Sequence, residues 1–525
     1  METTMRHEPS SENSTSAVSP IYERTIGKWI HLFCLVVLGV GTSITVGANR
    51  LDILGNILIG TIVAAIIYGL WRIRWVLLRR LRRLHLVTVF PFVALAMIIS
   101  APLGPLLALP QFRSLFLFRI LFILLVGLTV LYLLLRPARL HLRVGAPLGI
   151  LPAWLVWLVI TLLWSADLQR ALRYLVFFLM MSVLVVAVVL VASNQRRLRV
   201  MIGSLGMVYL VIIGIGLLEA LTLYHLPTSA LRNVSSRFQT MVSSVFYNPN
   251  DFATYISLWF PLWLGTFLFF RHPLLLSVSA GAMTLSLFEL ARTQSTLNAI
   301  ALALSTSVLL VVGSLRTLLD GSFPWRMLAL GAGVVALALF CAVVFFPSWA
   351  QETLSTLATA AEQSVLGGLI DVESKLMQIT TGIGSGANRV ALIESGWKAV
   401  QDYHLLGVGA GNAEYHMLFF PETGRVQNLH NWWMEVLVNG GLIAFGLYLA
   451  FYSLLLFGLL RVVFTSSDRL LTYLSVTLFA SLVGFAVGCT GPSSVIHFTP
   501  MWIHFGLALA VINVYQNERD NSTPS

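Results

Sequence analysis

Apolar runs of about twenty residues recur along most of this chain, and no other feature constrains its fold as much. Wound at 1.5 Å per residue, a run of that length crosses the roughly 30 Å hydrocarbon layer of a bilayer. The runs lie at Gly27–Gly47, Ile53–Trp71, Leu86–Leu109, Leu115–Leu135, Leu148–Trp164, Tyr174–Ala192, Val200–Leu223, Pro249–Phe270, Leu274–Ala291, Leu297–Ser314, Met327–Phe346, Trp433–Leu460, Leu470–Gly488 and Val495–Tyr515. They predict an all-α polytopic membrane protein of about fourteen transmembrane helices, because in hydrocarbon each backbone N–H and C=O must be satisfied inside its own helix. Composition points the same way. Of 525 residues, 57% are hydrophobic and 10% charged, with a mean hydropathy of +0.85, whereas soluble domains carry roughly 25% charged residues. The runs do not alternate, which excludes a β-barrel.

The formal net charge of +11 is read first as a sidedness signal, and no nucleic-acid partner is expected. With the N-terminus inside, alternation assigns Arg6, Arg24, Lys28 and the arginines of 72–83, 136–143 and 196–199 to the cytoplasmic side. Arg271, Arg316, Arg326, Arg461, Arg469 and Arg519 fall on the same side. Both termini are therefore expected in the cytoplasm. Residues 1–26 read as a disordered cytoplasmic tail without signal-peptide character, 27–223 as the N-terminal helices, and 224–346 as helices with a short outer loop. Residues 347–430 form a large extracytoplasmic loop, 431–515 the C-terminal helices, and 516–525 a second cytoplasmic tail. Cys34, Cys341 and Cys489 contain no CxxC pair and suggest neither a disulfide framework nor a zinc site.

A polar loop this long is usually a lid or binding element. Short helices are expected within it, for example Arg389–Gln401 with Val390, Ile393, Trp397 and Val400 on one face. Ionisable residues at the edges of spans are costly and tend to mark function. Glu219, Asp251, Glu289, Arg292 and Glu435 all fall near the outer ends of their helices, with His430 and Arg237 at the same level. A transporter more often places such groups at the midplane of broken helices. This arrangement predicts a ring around an outer mouth.

Each residue also has a plainer reading. His430 alone suits an interface, Arg292 can pair with Glu289 three residues earlier, and at least one of Trp432 and Trp433 suits an aromatic belt. Asn248-Pro249-Asn250-Asp251 is a helix start, with Asn248 as cap and Pro249 in the first turn. The glycine-rich stretches Gly382–Arg389 and Gly407–Asn412 lack GK[ST] and a preceding strand, so they read as turns and not as phosphate loops. His404, His416 and His430 lack the spacing of a compact metal site, and no metal or other cofactor is expected.

Four stretches, taken in order, resemble one family. "RFQTMVSSVFYNPNDFATY" carries an arginine followed by an Asn-Pro-Asn helix start, and "LARTQSTLNAIALA" an arginine at a helix-to-helix turn. "HLLGVGAGN" holds a Gly-x-Gly-x-Gly segment late in the outer loop, and "LHNWWMEVLVNGGLIAFGLYL" begins a helix with His-Asn. From Arg237 to about Tyr452 the chain resembles the O-antigen ligase and polymerase family of bacterial membrane glycosyltransferases. The resemblance implies a multi-pass protein of the bacterial plasma membrane with an outward-facing active site. It implies transfer of a glycan from an undecaprenyl diphosphate carrier to a hydroxyl of a glycan or lipid acceptor, without a metal. His430 would be the catalytic base and Arg237 and Arg292 the diphosphate ligands, supported by Asn431, Glu435, Asn250, Asp251 and Glu289. Two departures stand out. Thr-Gln-Ser follows Arg292 where a glycine-containing stretch is expected, and the helices exceed the family's roughly twelve by a pair.

The chemistry is coherent independently. A histidine with pKa near ~6.5 can take a hydroxyl proton at neutral pH, and arginines offer permanent bidentate charge to a leaving diphosphate. Two other classes remain open at this point: a transporter or flippase for a lipid-linked glycan, and a scaffold for envelope assembly.

Overall fold

The computed structural model describes residues 86–109, 112–135, 145–233, 240–321, 386–420, 428–492 and 495–522. The expected helices Gly27–Gly47, Ile53–Trp71 and Met327–Phe346, the tail 1–26 and Arg237 lie outside the described residues. The described helices are α1 (Leu86–Ser100), α2 (Leu117–Leu135), α3 (Ala146–Ile160), α4 (Leu168–Val191), α5 (Gln195–Thr222), α6 (Pro249–Phe269), α7 (Pro273–Thr293) and α8 (Thr296–Leu319). They continue with α9 (Gly386–Asp402), α10 (Ala413–Met417), α11 (Trp432–Thr465), α12 (Arg469–Gly488) and α13 (Thr499–Ser522). Eight of the described helices are long and apolar enough to cross a membrane. The chain is thus an all-α polytopic membrane protein.

Several boundaries differ from expectation: α4 and α5 begin earlier, at Leu168 and Gln195, and α13 starts at Thr499 and runs to Ser522, into the expected tail 516–525. The run Leu86–Leu109 stays helical only to Ser100, where Pro102, Gly104 and Pro105 end it. A short two-stranded ribbon follows, β1 (Ala108–Leu109) paired antiparallel with β2 (Phe112–Phe116). Elsewhere the helix starts follow capping chemistry. Asp167, Asn194, Asn248 and Asp468 each accept a hydrogen bond from the backbone N–H three residues on, and Pro249 occupies the first turn of α6.

Large side chains such as Trp154, Phe178, Trp259 and Trp502 fill the core, and small and hydroxylated residues make the closest helix contacts. A Cβ on Gly484 of α12 would stand 2.6 Å from the Ala301 carbonyl and 2.7 Å from Ser305 Cβ on α8, so these two helices touch nearly backbone to backbone. Ser257 of α6 bridges to Asn298 of α8 at 3.2 Å, and Ser481 of α12 donates to the Leu258 carbonyl of α6 at 2.8 Å. Other large apolar side chains point outward, among them Leu163, Val176, Met207, Leu218, Val311 and Phe457. On membrane-spanning helices a surface of that kind suits lipid.

Contacts between helix ends sort the bundle into two ends. At one end, the mouth, Trp432 N donates to the Cys489 carbonyl (3.2 Å), Asn298 Nδ2 to the Asn250 carbonyl (3.5 Å) and Thr499 Oγ1 to the Ala101 carbonyl (2.9 Å). These contacts join the starts of α6, α8, α11 and α13 to the ends of α1 and α12. At the far end Gln195 meets Glu518, Arg316 donates to the Ser466 carbonyl, and Thr465 meets Tyr515. Arg196, Arg197, Arg199, Arg316, Arg461, Arg469 and Arg519 cluster toward that far end.

Candidate active site

His430 stands two residues before α11, in left-handed backbone conformation with φ 48°. A non-glycine residue with positive φ costs energy and persists only where its surroundings impose it. Here they do so through a relay. The His430 N–H donates to Asn428 Oδ1 (3.0 Å), and Asn428 Nδ2 donates to Glu414 Oε1 (3.0 Å) of α10. Glu414 Oε2 lies 3.6 Å from Arg170 Nη1 on α4, and Arg170 Nε pairs with Asp167 Oδ2 at 3.2 Å. Asn431 then caps α11, accepting from Trp433 N (3.0 Å) and Met434 N (3.3 Å). The His430 ring is half-buried, with Nδ1 screened from solvent. Asp167, Arg170, Glu414 and Asn428 carry no motif. Arg170 and Glu414 pair across more than 240 residues between α4 and α10, so nothing local in the chain marks them.

Arg292 sits in the last turn of α7, at the tight α7–α8 turn made by Gln294 (φ 55°) and Ser295. It has no ion-pair partner among the described residues, and its Nε is buried without a hydrogen bond. The pairing with Glu289 that the i, i+3 spacing allows does not form. Glu289 is fully buried, and neither carboxylate oxygen has a hydrogen bond among the described residues. Its carboxylate packs between α5 and α7, where a Cβ on Gly216 would stand 2.9 Å from its Oε1 and 3.0 Å from Phe252. It therefore faces the neighbouring helix instead of ringing the mouth. Glu219 at the end of α5 is also enclosed and ties down the loop that returns to α6. It accepts from the backbone N–H groups of Ser243 (2.9 Å) and Ser244 (2.5 Å), and His225 Nδ1 lies 2.6 Å away.

The remaining predicted residues lie at the mouth in structural roles. Asp251 and Asn248 cap each other: Asp251 N donates to Asn248 Oδ1 (2.9 Å), and Asn248 Nδ2 to Asp251 Oδ2 (3.1 Å). The Asn250 carbonyl accepts from Thr254 and from Asn298. Glu435, in the first turn of α11, accepts from Val495 N at 3.3 Å and so fastens the α12–α13 connection. The aromatic-belt reading fails for Trp432, which is fully enclosed among Trp154, Tyr448 and Trp502. Trp433 is half-buried, packs on Phe445, Tyr448 and Tyr452, and donates to the Ala486 carbonyl (2.9 Å).

Gly407–Asn412 is a turn segment, and it is also a clamp. Gly407, Gly409 and Gly411 all have positive φ. Trp164 donates to the Gly407 carbonyl (2.9 Å), Thr161 Oγ1 accepts from Ala410 N (3.0 Å), and Asn412 exchanges two hydrogen bonds with the Asp167 backbone (2.7 and 3.1 Å). Val408 N reaches the Val438 carbonyl at 2.8 Å. The strip thus locks the large loop onto α3, α4 and α11. Helix α9 begins at Gly386 and ends at Asp402, but its packed face is Leu392, Ser395, Gly396, Ala399 and Val400. Ile393 and Trp397 are exposed, contrary to the face expected from periodicity.

Among the described residues, no group of three or more His, Cys, Asp or Glu side chains is placed to hold a metal. His416 is instead packed edge-on to Tyr403 and Tyr415, and burial holds its imidazole below the ordinary histidine range.

A bundle of long apolar helices that brings to one end a constrained histidine and an arginine with no carboxylate partner among the described residues is that of a multi-pass membrane protein. Residues 281–449 match the O-antigen ligase family model. The chain is also similar to the teichuronic acid biosynthesis protein TuaE of Bacillus subtilis (strain 168), with 23% identity over 374 residues, 71% of this chain and 72% of that protein. The matched stretch contains Arg292 and His430, whereas Arg237, Asn250 and Asp251 precede it.

Proposed function

We propose that the protein is a membrane glycosyltransferase that moves a glycan from an undecaprenyl diphosphate carrier to an acceptor hydroxyl at the outer surface, as a ligase or a polymerase of a surface polysaccharide. The observation that carries this reading is the pairing, within the stretch that matches the O-antigen ligase family, of a histidine held in a left-handed turn with an arginine that lacks a carboxylate partner among the described residues. TuaE's part in teichuronic acid biosynthesis favours a cell-surface polysaccharide as product.

In the reaction, the acceptor oxygen forms a bond to the anomeric carbon of the donor sugar. The bond from that carbon to the diphosphate oxygen breaks, and undecaprenyl diphosphate leaves as an anion. His430 takes the hydroxyl proton. Arg292, with Arg237, holds the diphosphate oxygens and stabilises the charge that develops there. Positive charge from two guanidiniums serves in place of a metal. The starts of α6, α8 and α11 meet at the mouth, so their dipoles add to the same field.

The test uses purified protein in lipid nanodiscs with a lipid-linked donor, acceptor and chelator. His430→Ala should lower transfer by about 10²–10⁴-fold while donor binding persists. In cells, carrier-linked glycan should then accumulate on the outer leaflet. Normal transfer by His430→Ala, or a strict need for added metal, would sink the mechanism. Accumulation on the cytoplasmic leaflet would point to transport.

A further inference from the structure

The apolar arc of α9 is wider than the arc that protein covers. At 100° per residue, Leu392, Ser395, Gly396, Ala399 and Val400 form one continuous buried arc. Its contact with α11 is close: a Cβ on Gly396 would lie 3.2 Å from both Met434 Cε and Val438 Cγ2. Ile393 and Trp397, one turn apart, extend that arc past its edge and are 41% and 43% exposed. Beyond them the helix turns polar through Glu394, Lys398, Gln401 and Asp402.

The exposed apolar surface continues past the helix. Leu405 and Leu406 are 37% and 41% exposed in a turn where His404 and Leu405 both adopt positive φ. The Leu405 carbonyl accepts from Leu442 N at 2.9 Å. Leu442 and Ile443, 46% and 45% exposed, head the outward stripe of α11 that runs on through Leu449 and Phe457. That stripe belongs to a membrane-spanning helix, so lipid covers it. The level is marked independently. Trp157 of α3 and Trp164 just beyond its end, with ring centroids 6.0 Å apart, donate to the carbonyls of Gly440 (2.6 Å) and Gly407 (2.9 Å). Tryptophans that pair an apolar body with a polar contact collect at the membrane–water interface.

We propose that α9 and the following turn are an interfacial element: Ile393, Trp397 and Leu406 sit among the acyl chains of the leaflet at the mouth, while Glu394 and Asp402 face water. The occupant is bilayer lipid, because the patch is continuous with a surface that the bilayer already covers. The proposal stands on the membrane-spanning architecture and does not depend on the glycosyl-transfer reading. It explains why a large polar loop keeps aromatic and aliphatic side chains exposed, and it fixes the clamp Gly407–Asn412 at headgroup depth.

Spin labels test it directly. Cysteines are placed singly at Ile393, Trp397, Leu406, Glu394 and Asp402 in full-length protein whose Cys34, Cys341 and Cys489 are replaced, in nanodiscs without donor. Phe457→Cys serves as the lipid-facing reference. Labels at 393, 397 and 406 should collide with oxygen several-fold more readily, relative to a water-soluble nickel chelate, than labels at 394 and 402. Equal nickel access at 393, 397 and 402 would overturn the proposal. Exclusion of both reagents from 393 and 397 would do so too, because protein would then cover the patch. Should the cysteine-free protein fail to fold, a photoreactive benzoylphenylalanine at 397 in the native background answers the same question. Lipid adducts at 397 but not at 402 support insertion, and their absence at 397 overturns it.

Discussion

His430 and Arg292 differ in how their settings are built. The turn at His430 is held by a chain of hydrogen bonds and ion pairs that runs back to α4, so its backbone is positioned before any substrate arrives. Arg292 is positioned by a tight turn, and its guanidinium lacks an ion pair among the described residues. A lysine there keeps the charge and loses the planar fork that fits a diphosphate. Losing hydrogen bonds to a charged group costs about 1.5–3 kcal/mol, so Arg292→Lys should reduce transfer roughly 10–100-fold. Arg196→Lys, at the far end, should leave the rate unchanged. Full activity in Arg292→Lys would remove this residue from diphosphate binding. The motif order pointed to both residues, but their surroundings were not legible. Whether Arg292 pairs with Glu289 depends on which way each side chain leaves the helix, and Gly216 of α5 makes room for the carboxylate elsewhere.

At the scale of elements, α11 shows how a loop and a span are joined. Its 34 residues extend about 51 Å, well beyond the hydrocarbon layer. The helix breaks at Gly441 (φ 67°, ψ −166°), a conformation essentially confined to glycine. A Cβ there would also run into the backbone of Leu405 and Leu406. Gly441→Ala should therefore cost at least about 2 kcal/mol and loosen the large loop. Faster hydrogen exchange over residues 403–412 and a lower melting temperature in nanodiscs would register this. Gly446→Ala, with no atom within 4 Å of the added Cβ, is the neutral control. Equal behaviour of the two variants would show that the kink does not anchor the loop. From sequence, "VNGGLIAFG" reads only as a weak point in an apolar run. Likewise, the existence of α9 followed from periodicity, but its packed face did not, because lipid and protein reward the same apolar residues.

The whole molecule presents two ends of different character, with Arg196, Arg197, Arg199, Arg316, Arg461, Arg469 and Arg519 toward one and His430 and Arg292 at the other. Charge asymmetry of this kind orients helices during insertion. We expect the arginine-rich end in the cytoplasm. A membrane-impermeant thiol reagent should then label Phe419→Cys in intact cells and leave Asn517→Cys unlabelled until the cells are opened. Both positions are exposed in the fold. The reverse pattern would invert the topology and move the proposed site to the cytoplasmic face.

What the sequence alone determined was the class of fold, the approximate extent of each described span, the capped start of α6 at Asn248 and the order of motifs that locates His430 and Arg292. Hydrophobic length and capping are local properties, so they can be read along the chain. Only the tertiary structure decided that Glu289 turns away from Arg292, that Trp432 is core, and that the glycine strip clamps α3, α4 and α11. It alone showed that Arg170, Glu414 and Asn428 hold the histidine. Each of these depends on which helices become neighbours, and the packing of distant segments carries no periodic signal in the chain itself.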